Sequence, residues 1–290
     1  MREVFYTVTA DEDGRTVERV LRRRGLSHAL LVHLKTAPDG LTLAGAQVYT
    51  NHVLRAGDKL RVRVYESTPN ETIMPARLPL SIVYEDEDML ILDKPAGMAV
   101  HPSQGNRDSS LANALAARYV AQREPFVFRA IGRLDKNTSG LVLLAKNALS
   151  ACLLSHAAAR REVRREYLAL CTGKLPLQGT IDAPIGRADG STIARQVRDD
   201  GDRAVTHFER LSYENGVSLA RIWLDTGRTH QIRVHMAYLG HALLGDFLYN
   251  PTDNRTPRHA LHAAHLTLVQ PVTGQPLSFT SRLPEDLSLA

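Results

Sequence analysis

From about residue 80 to the end of the chain, strand-like runs often follow one another across turns alone, and this most constrains the fold. The runs are Ile82–Tyr84, Met89–Leu92, Leu141–Ala145, Tyr167–Cys171 and Val217–Leu224, with helical stretches only near 110–121, 148–161 and 229–239. A parallel βαβ winding needs a crossover helix between successive strands, so a mixed or antiparallel sheet in an α+β domain fits better. No internal repeat is visible over these roughly 210 residues.

The N-terminal residues have a different pattern. Thr16 is placed to cap a helix carrying Val17, Val20 and Leu21, which Gly25 would end, and Ser27 to cap a second helix carrying Leu30, Leu31 and Leu34. Gly57-Asp58 then marks a turn before the alternating strand Leu60, Val62, Val64. Residues 66–79 contain three prolines and no apolar period and are expected to be a linker. The expected division is thus a small unit at 1–65, a linker at 66–79 and a large domain at 80–290.

Composition narrows the function. No apolar run approaches the roughly 18 residues of a membrane span, and the N-terminus has no apolar signal segment. Cys152 and Cys171 form no CxxC pair, which suits a reducing, cytoplasmic setting and argues against a Cys-rich zinc site. The net charge is +5, and arginines cluster at 22–24 and at 160, 161, 164 and 165. Such clusters attract polyphosphate chains, although either run alone also reads as a solvated helix face.

Three segments carry chemistry. In GRLDKNTSGLVLLAK (132–146), a strand-like approach ends at Arg133-Leu134-Asp135, and Gly140 opens the buried run Leu141–Ala145. On spacing alone, Asp135 reads first as a turn aspartate that holds backbone N–H groups. In DTGRTHQIRVHMAYLG (225–240), Thr229 would cap a helix with Ile232, His235, Met236 and Leu239 on its apolar face. Arg233 falls on the other face, as a partner for a carboxylate or phosphate or as a surface arginine. In RREYLALCTG (164–173), strand alternation turns Tyr167, Ala169 and Cys171 to one side, so Tyr167 either stacks on a base or packs a sheet edge.

Taken together and in order, these segments resemble the RluA family of pseudouridine synthases. The match rests on Arg133, Leu134, Asp135, Thr138, Ser139 and Gly140, on the unbroken block 227–235, and on LDKPAGMAVHPS (92–103). It departs where Gly132 replaces a common His and Asn250 a usual Gly, which bears on substrate fit rather than on the reaction. The leader, with its GDKLRV ending, is similar to the S4-type RNA-binding domain often attached in this family.

The resemblance implies a mixed, mostly antiparallel sheet flanked by helices, with RNA in a central cleft. It places the nucleophile on Asp135, the aromatic against the target base on Tyr167 and the arginine paired with the acid on Arg233. Arg133, Lys94, Arg228, His230, Arg22 and Arg23 are the candidate RNA contacts. The reaction breaks the N1–C1′ bond, turns the uracil and joins C5 to C1′, so no redox or group-transfer cofactor is implied. It needs a charged carboxylate, and a neighbouring guanidinium favours that form and fixes its direction. The carboxylate could attack the sugar or add to C6 of the base.

The expected substrate is structured RNA, with large-subunit ribosomal RNA ahead of transfer RNA, and the expected state is a monomer. Three other readings compete. A metal could sit at His259, His262 and His265, but three-residue steps do not converge in a helix or a strand. A glycosidase would need a second acid, and Asp86 and Asp88 read as a turn. A non-catalytic RNA-binding protein would be expected to have lost Asp135 or Arg233.

Overall fold

The computed structural model describes residues 1–66, 73–103, 107–125 and 127–287. The N-terminal unit is a sheet in the order β1-β4-β2-β3 covered by two helices. Its elements are β1 (Arg2–Thr7), α1 (Val17–Arg23), α2 (His28–Thr36), β2 (Leu41–Leu43), β3 (Ala46–Gln47) and β4 (Lys59–Val64). Thr16 and Ser27 cap α1 and α2 by accepting from Arg19 and Leu30 N–H, and Gly25 follows α1 with a positive φ of 96°. Strand β1 lies outside the sequence expectation. It pairs antiparallel along the whole of β4, so the unit closes on itself through the chain start.

The large sheet runs β5-β6-β7-β14-β8-β13-β12-β9, with β15 added on β14. In chain order its elements begin with β5 (Ile82–Glu85), β6 (Met89–Lys94), α3 (Leu111–Gln122), β7 (Ser139–Ala145), α4 (Ala148–Ala159) and β8 (Arg164–Thr172). They continue with β9 (Gln178–Asp182), a separate hairpin of β10 (Ile185–Arg187) and β11 (Arg195–Val197), β12 (Val205–Glu214) and β13 (Val217–Leu224). The chain ends with α5 (Gln231–Tyr238), β14 (Leu261–Val269) and β15 (Pro276–Thr280). Pairing is antiparallel except between β7 and β14, which meet in parallel at Ser139↔His262 and Gly140↔Ala263.

Both faces of β6 and β7 are buried, which explains their unbroken apolar runs. Leu90, Leu92, Val142 and Leu144 pack against α3, whereas Met89, Ile91, Leu141 and Leu143 pack with Leu154 of α4 and Phe279 of β15. Leu134 joins two cores at once, touching the cluster under α3 and the one around Tyr167. The residue after it, Asp135, is thereby anchored from below.

The two units are docked against each other. Leu149 of α4 is fully buried in the N-terminal core, and Ala148, Cys152, Leu153 and Val272 pack against that core. Arg2 reaches Asp88, which is fully buried, at 2.7 Å. Residues 67–72 of the expected linker lie outside the described residues; 73–79 have no regular structure but hold to α3, where Asn113 Nδ2 donates to Met74 O at 2.7 Å. Among the described residues no helix is long and apolar enough to cross a membrane.

Candidate active site

A cleft of about 1540 Å³ opens along β8 and β13, and Asp135, Tyr167 and Arg233 all line it. Asp135 and Arg233 stand 98 positions apart, yet Arg233 Nη1 donates to Asp135 Oδ2 at 3.3 Å. Asp135 keeps 28% of its side chain open to the cleft, while Arg233 keeps only 2%. Arg233 is therefore no surface arginine. Helix α5 is buried on both sides, so Gln231, Arg233 and His235 are all buried with partners.

The principal partner of Arg233 is a residue the sequence reading passed over. Asp246 is fully buried and takes a bidentate pair from Nε and Nη2, each at 2.7 Å. Burial works against the charge on Asp246, but Arg233 outweighs it and holds the carboxyl below its usual range. This pair consumes the guanidinium's charge and leaves a single directed hydrogen bond for Asp135. The acid is oriented without being locked in a two-point bridge. The only hint in the sequence was the GDFLYN stretch itself.

His230 stands beside the same carboxylate oxygen, with Nε2 3.9 Å from Asp135 Oδ2. It takes a left-handed conformation (φ 59°) as the N-cap of α5, a place expected for Thr229, and its side chain makes no cap bond. The turn is tied instead by Gln231, whose side-chain oxygen accepts from Arg228 N–H and the Thr226 hydroxyl. Tyr249 OH accepts from Arg195 N–H at 2.9 Å and lies 2.9 Å from His230 Nδ1. Every donor is used if the tyrosine proton goes to Nδ1, leaving the imidazole proton on Nε2, toward the acid. Burial lowers the pKa of His230, so the neutral ring is favoured.

The loop that carries Asp135 is held almost atom by atom. Thr138 N–H closes the turn onto Asp135 O at 3.1 Å. Arg258 donates to Asn137 O and Ser139 Oγ while Asp286 holds its other edge at 2.7 Å. His259 Nε2 meets Thr138 Oγ1 and His262 Nδ1 meets Ser139 Oγ, each at 2.9 Å. Two of the three spaced histidines thus brace this loop, and the third, His265, sits apart on Ser278. Gly140 has φ 107°, and a Cβ there would lie 2.3 Å from Ala263 O, so only glycine lets β7 meet β14 this closely.

Lys94 needs correction as an RNA contact. It is fully buried, and its three ammonium protons go to the carbonyls of Pro95, Met98 and Lys136 at 2.8–3.0 Å. Burial pushes its pKa down to about 7, while the three carbonyls match the charged form. It ties the Lys-Pro turn to the Asp135 loop from inside. Arg133 and Arg228 are exposed at the cleft, whereas Arg22 and Arg23 lie on α1 outside it, with Arg23 paired to Asp11. Asp86 and Asp88 belong to the β5–β6 turn, where Arg2, Asn147, Ser150 and Gln270 surround Asp88.

Tyr167 forms one wall of the cleft, its ring packed with Ala169, Ile232, Leu261 and Ala263 and with Leu134 at the edge. Burial raises the pKa of its phenol, so it stays protonated. A family model described as RNA pseudouridylate synthase matches residues 88–238, which include Asp135, Tyr167 and Arg233. The chain belongs to that family. A Bacillus subtilis RNA pseudouridine synthase, YjbO, is 38% identical over 94% of this chain and 97% of its own length. The ribosomal large subunit pseudouridine synthase D of Xanthomonas campestris is 38% identical over 84% of this chain and 78% of its own. The solved structure of human RNA pseudouridylate synthase domain containing 1 superposes with a TM-score of 0.59 at 26% identity, covering 74% of this chain and 86% of that one.

Proposed function

We propose that this enzyme isomerises specific uridines to pseudouridine in large-subunit ribosomal RNA, with Asp135 as the nucleophile. The observation that carries the mechanism is the single hydrogen bond from Arg233 to a half-open Asp135 inside a basic cleft. A uridine leaves its stack, at a cost of a few kcal/mol, and its base is received by the Tyr167 wall. Asp135 then attacks the sugar, or adds to C6, as the N1–C1′ bond breaks. The freed uracil turns, C5 bonds to C1′, the Asp135 adduct is released as a carboxylate, and the C5 proton is lost while N1 takes one up, so base and sugar are conserved. His230 and Arg233 keep the carboxylate aimed throughout. Arg133 and Arg228 meet the RNA backbone at the rim, with Arg22 and Arg23 as outlying contacts on an S4-like N-terminal unit. The name of the Xanthomonas relative supports ribosomal RNA, and the net charge of +5 supports a polyanionic partner; the enzyme is read as a cytoplasmic monomer.

The test is a chemical map of pseudouridines in total RNA from cells with and without the gene, repeated with Asp135→Asn. One or more large-subunit sites should vanish in both strains while the variant still binds RNA. Sites lost only from transfer RNA would replace the ribosomal assignment. No lost site would turn the reading to a non-catalytic RNA-binding protein.

A further inference from the structure

Among the described residues, Arg165 is a partly buried cation of the cleft with no counter-ion. Arg165 lies on β8 two residues before Tyr167, so both side chains rise from the same face of the strand. It lines the cleft, partly buried, and its only hydrogen bond among the described residues goes to Ile131 O. The acids nearby are engaged elsewhere: Asp225 by Arg161 at 3.0 Å, Glu209 by Arg221, Asp135 by Arg233. Glu166, next along the strand and also at the cleft, lies 3.8 Å from His265. Burial lowers the pKa of Arg165, and no carboxylate offsets that cost.

A guanidinium with five donors and one acceptor, taken partly out of water without an anion, is a site for one. It sits against Gly132, three residues before Asp135: a Cβ on Gly132 would lie 3.4 Å from Arg165 Nη2 and 3.5 Å from Cζ. Gly132 has φ 82°, where a side chain is strained, so the turn that passes this close to the guanidinium favours glycine. Along the strand Arg165 and Tyr167 are separated by about 7 Å, a span that one nucleotide bridges from base to phosphate.

We propose that Arg165 binds the phosphodiester flanking the flipped uridine, beside the Gly132 turn that leads to Asp135. This rests on RNA as the substrate but not on which RNA. A planar fork against two phosphate oxygens is the geometry that guanidinium recognises best. The contact would hold the sugar in place while the freed uracil turns beside Tyr167.

The experiment measures affinity for an oligoribonucleotide carrying the mapped target uridine. Each flanking linkage is replaced in turn by a neutral methylphosphonate on a 2′-O-methyl sugar, against a matched phosphodiester. One replacement should weaken wild-type binding about 10-fold or more, the loss of one charge-assisted contact. Arg165→Met should weaken binding of the unmodified RNA by a similar factor and lower the salt slope by about one. Combining the two should lose nothing further, and Arg165→Lys should fall between. Wild-type binding indifferent to both replacements overturns the proposal without any variant and leaves the RNA reading standing. Losses that multiply overturn it too, because the phosphate is then met elsewhere. A protein that binds no RNA at all removes both readings.

Discussion

Replacing Asp246 by Asn should separate the two jobs of Arg233. The wild-type pair is fully desolvated, with two bonds of 2.7 Å and side-chain exposures of 2% and 0%. Breaking such a pair by neutralising one partner costs about 3–5 kcal/mol, a large share of a typical stability of about 5–15 kcal/mol. Part of this is recoverable, because Asp135 Oδ2 already lies 3.3 Å away and can take a second bond worth about 1.5–3 kcal/mol. The net loss should be about 2–3 kcal/mol in urea unfolding, with an unchanged slope. Single-turnover pseudouridine formation should fall at least about 10-fold, since Asp135 is then drawn into the bridge Asp246 vacated. The double variant Arg233→Met with Asp246→Leu should regain most of the stability and none of the activity. Stability within about 0.5 kcal/mol of wild type and unchanged turnover in Asp246→Asn would refute the reasoning.

Gly140→Ala should cost about 3–5 kcal/mol, because the new Cβ meets the Ala263 backbone and the φ of 107° is strained; an unshifted urea midpoint would contradict this. Burial lowers the pKa of His230, His235 and His262, and that of His259 to about 4. The unfolded chain therefore takes up protons first. The contribution of these histidines is full above about pH 6.5 and is lost as pH falls through the depressed native values, with about 2 kcal/mol from His259 alone by pH 5. Urea midpoints at pH 7.5 and 5 should show this slope, and His259→Gln should flatten it. Deleting residues 1–65 should destabilise the remaining domain by about 3–5 kcal/mol, through exposure of Leu149 and loss of Arg2 from Asp88; an unchanged melting temperature would show that the docking contributes nothing.

Adjacent residues carried much of this molecule on their own. The caps at Thr16 and Ser27, the alternation of Tyr167, Ala169 and Cys171, and the span Val217–Leu224 depend on local chemistry and period, which a linear chain displays directly. The ordered motifs around Asp135 and 227–235 were equally legible, because they are contiguous. Strand β1 was missed because its partner β4 lies far along the chain, and β14 because its histidines break the apolar alternation. Tertiary structure alone decided which charges are paired. Lys94 looks like a surface cation until three carbonyls from two loops close on it. Arg233 looks solvent-facing on a helical wheel until Asp246 is folded beneath it, and Arg165 is one of a run of arginines until every acid around it proves to be taken. A buried charge is defined by its desolvation and its partners, and both come from residues distant in sequence.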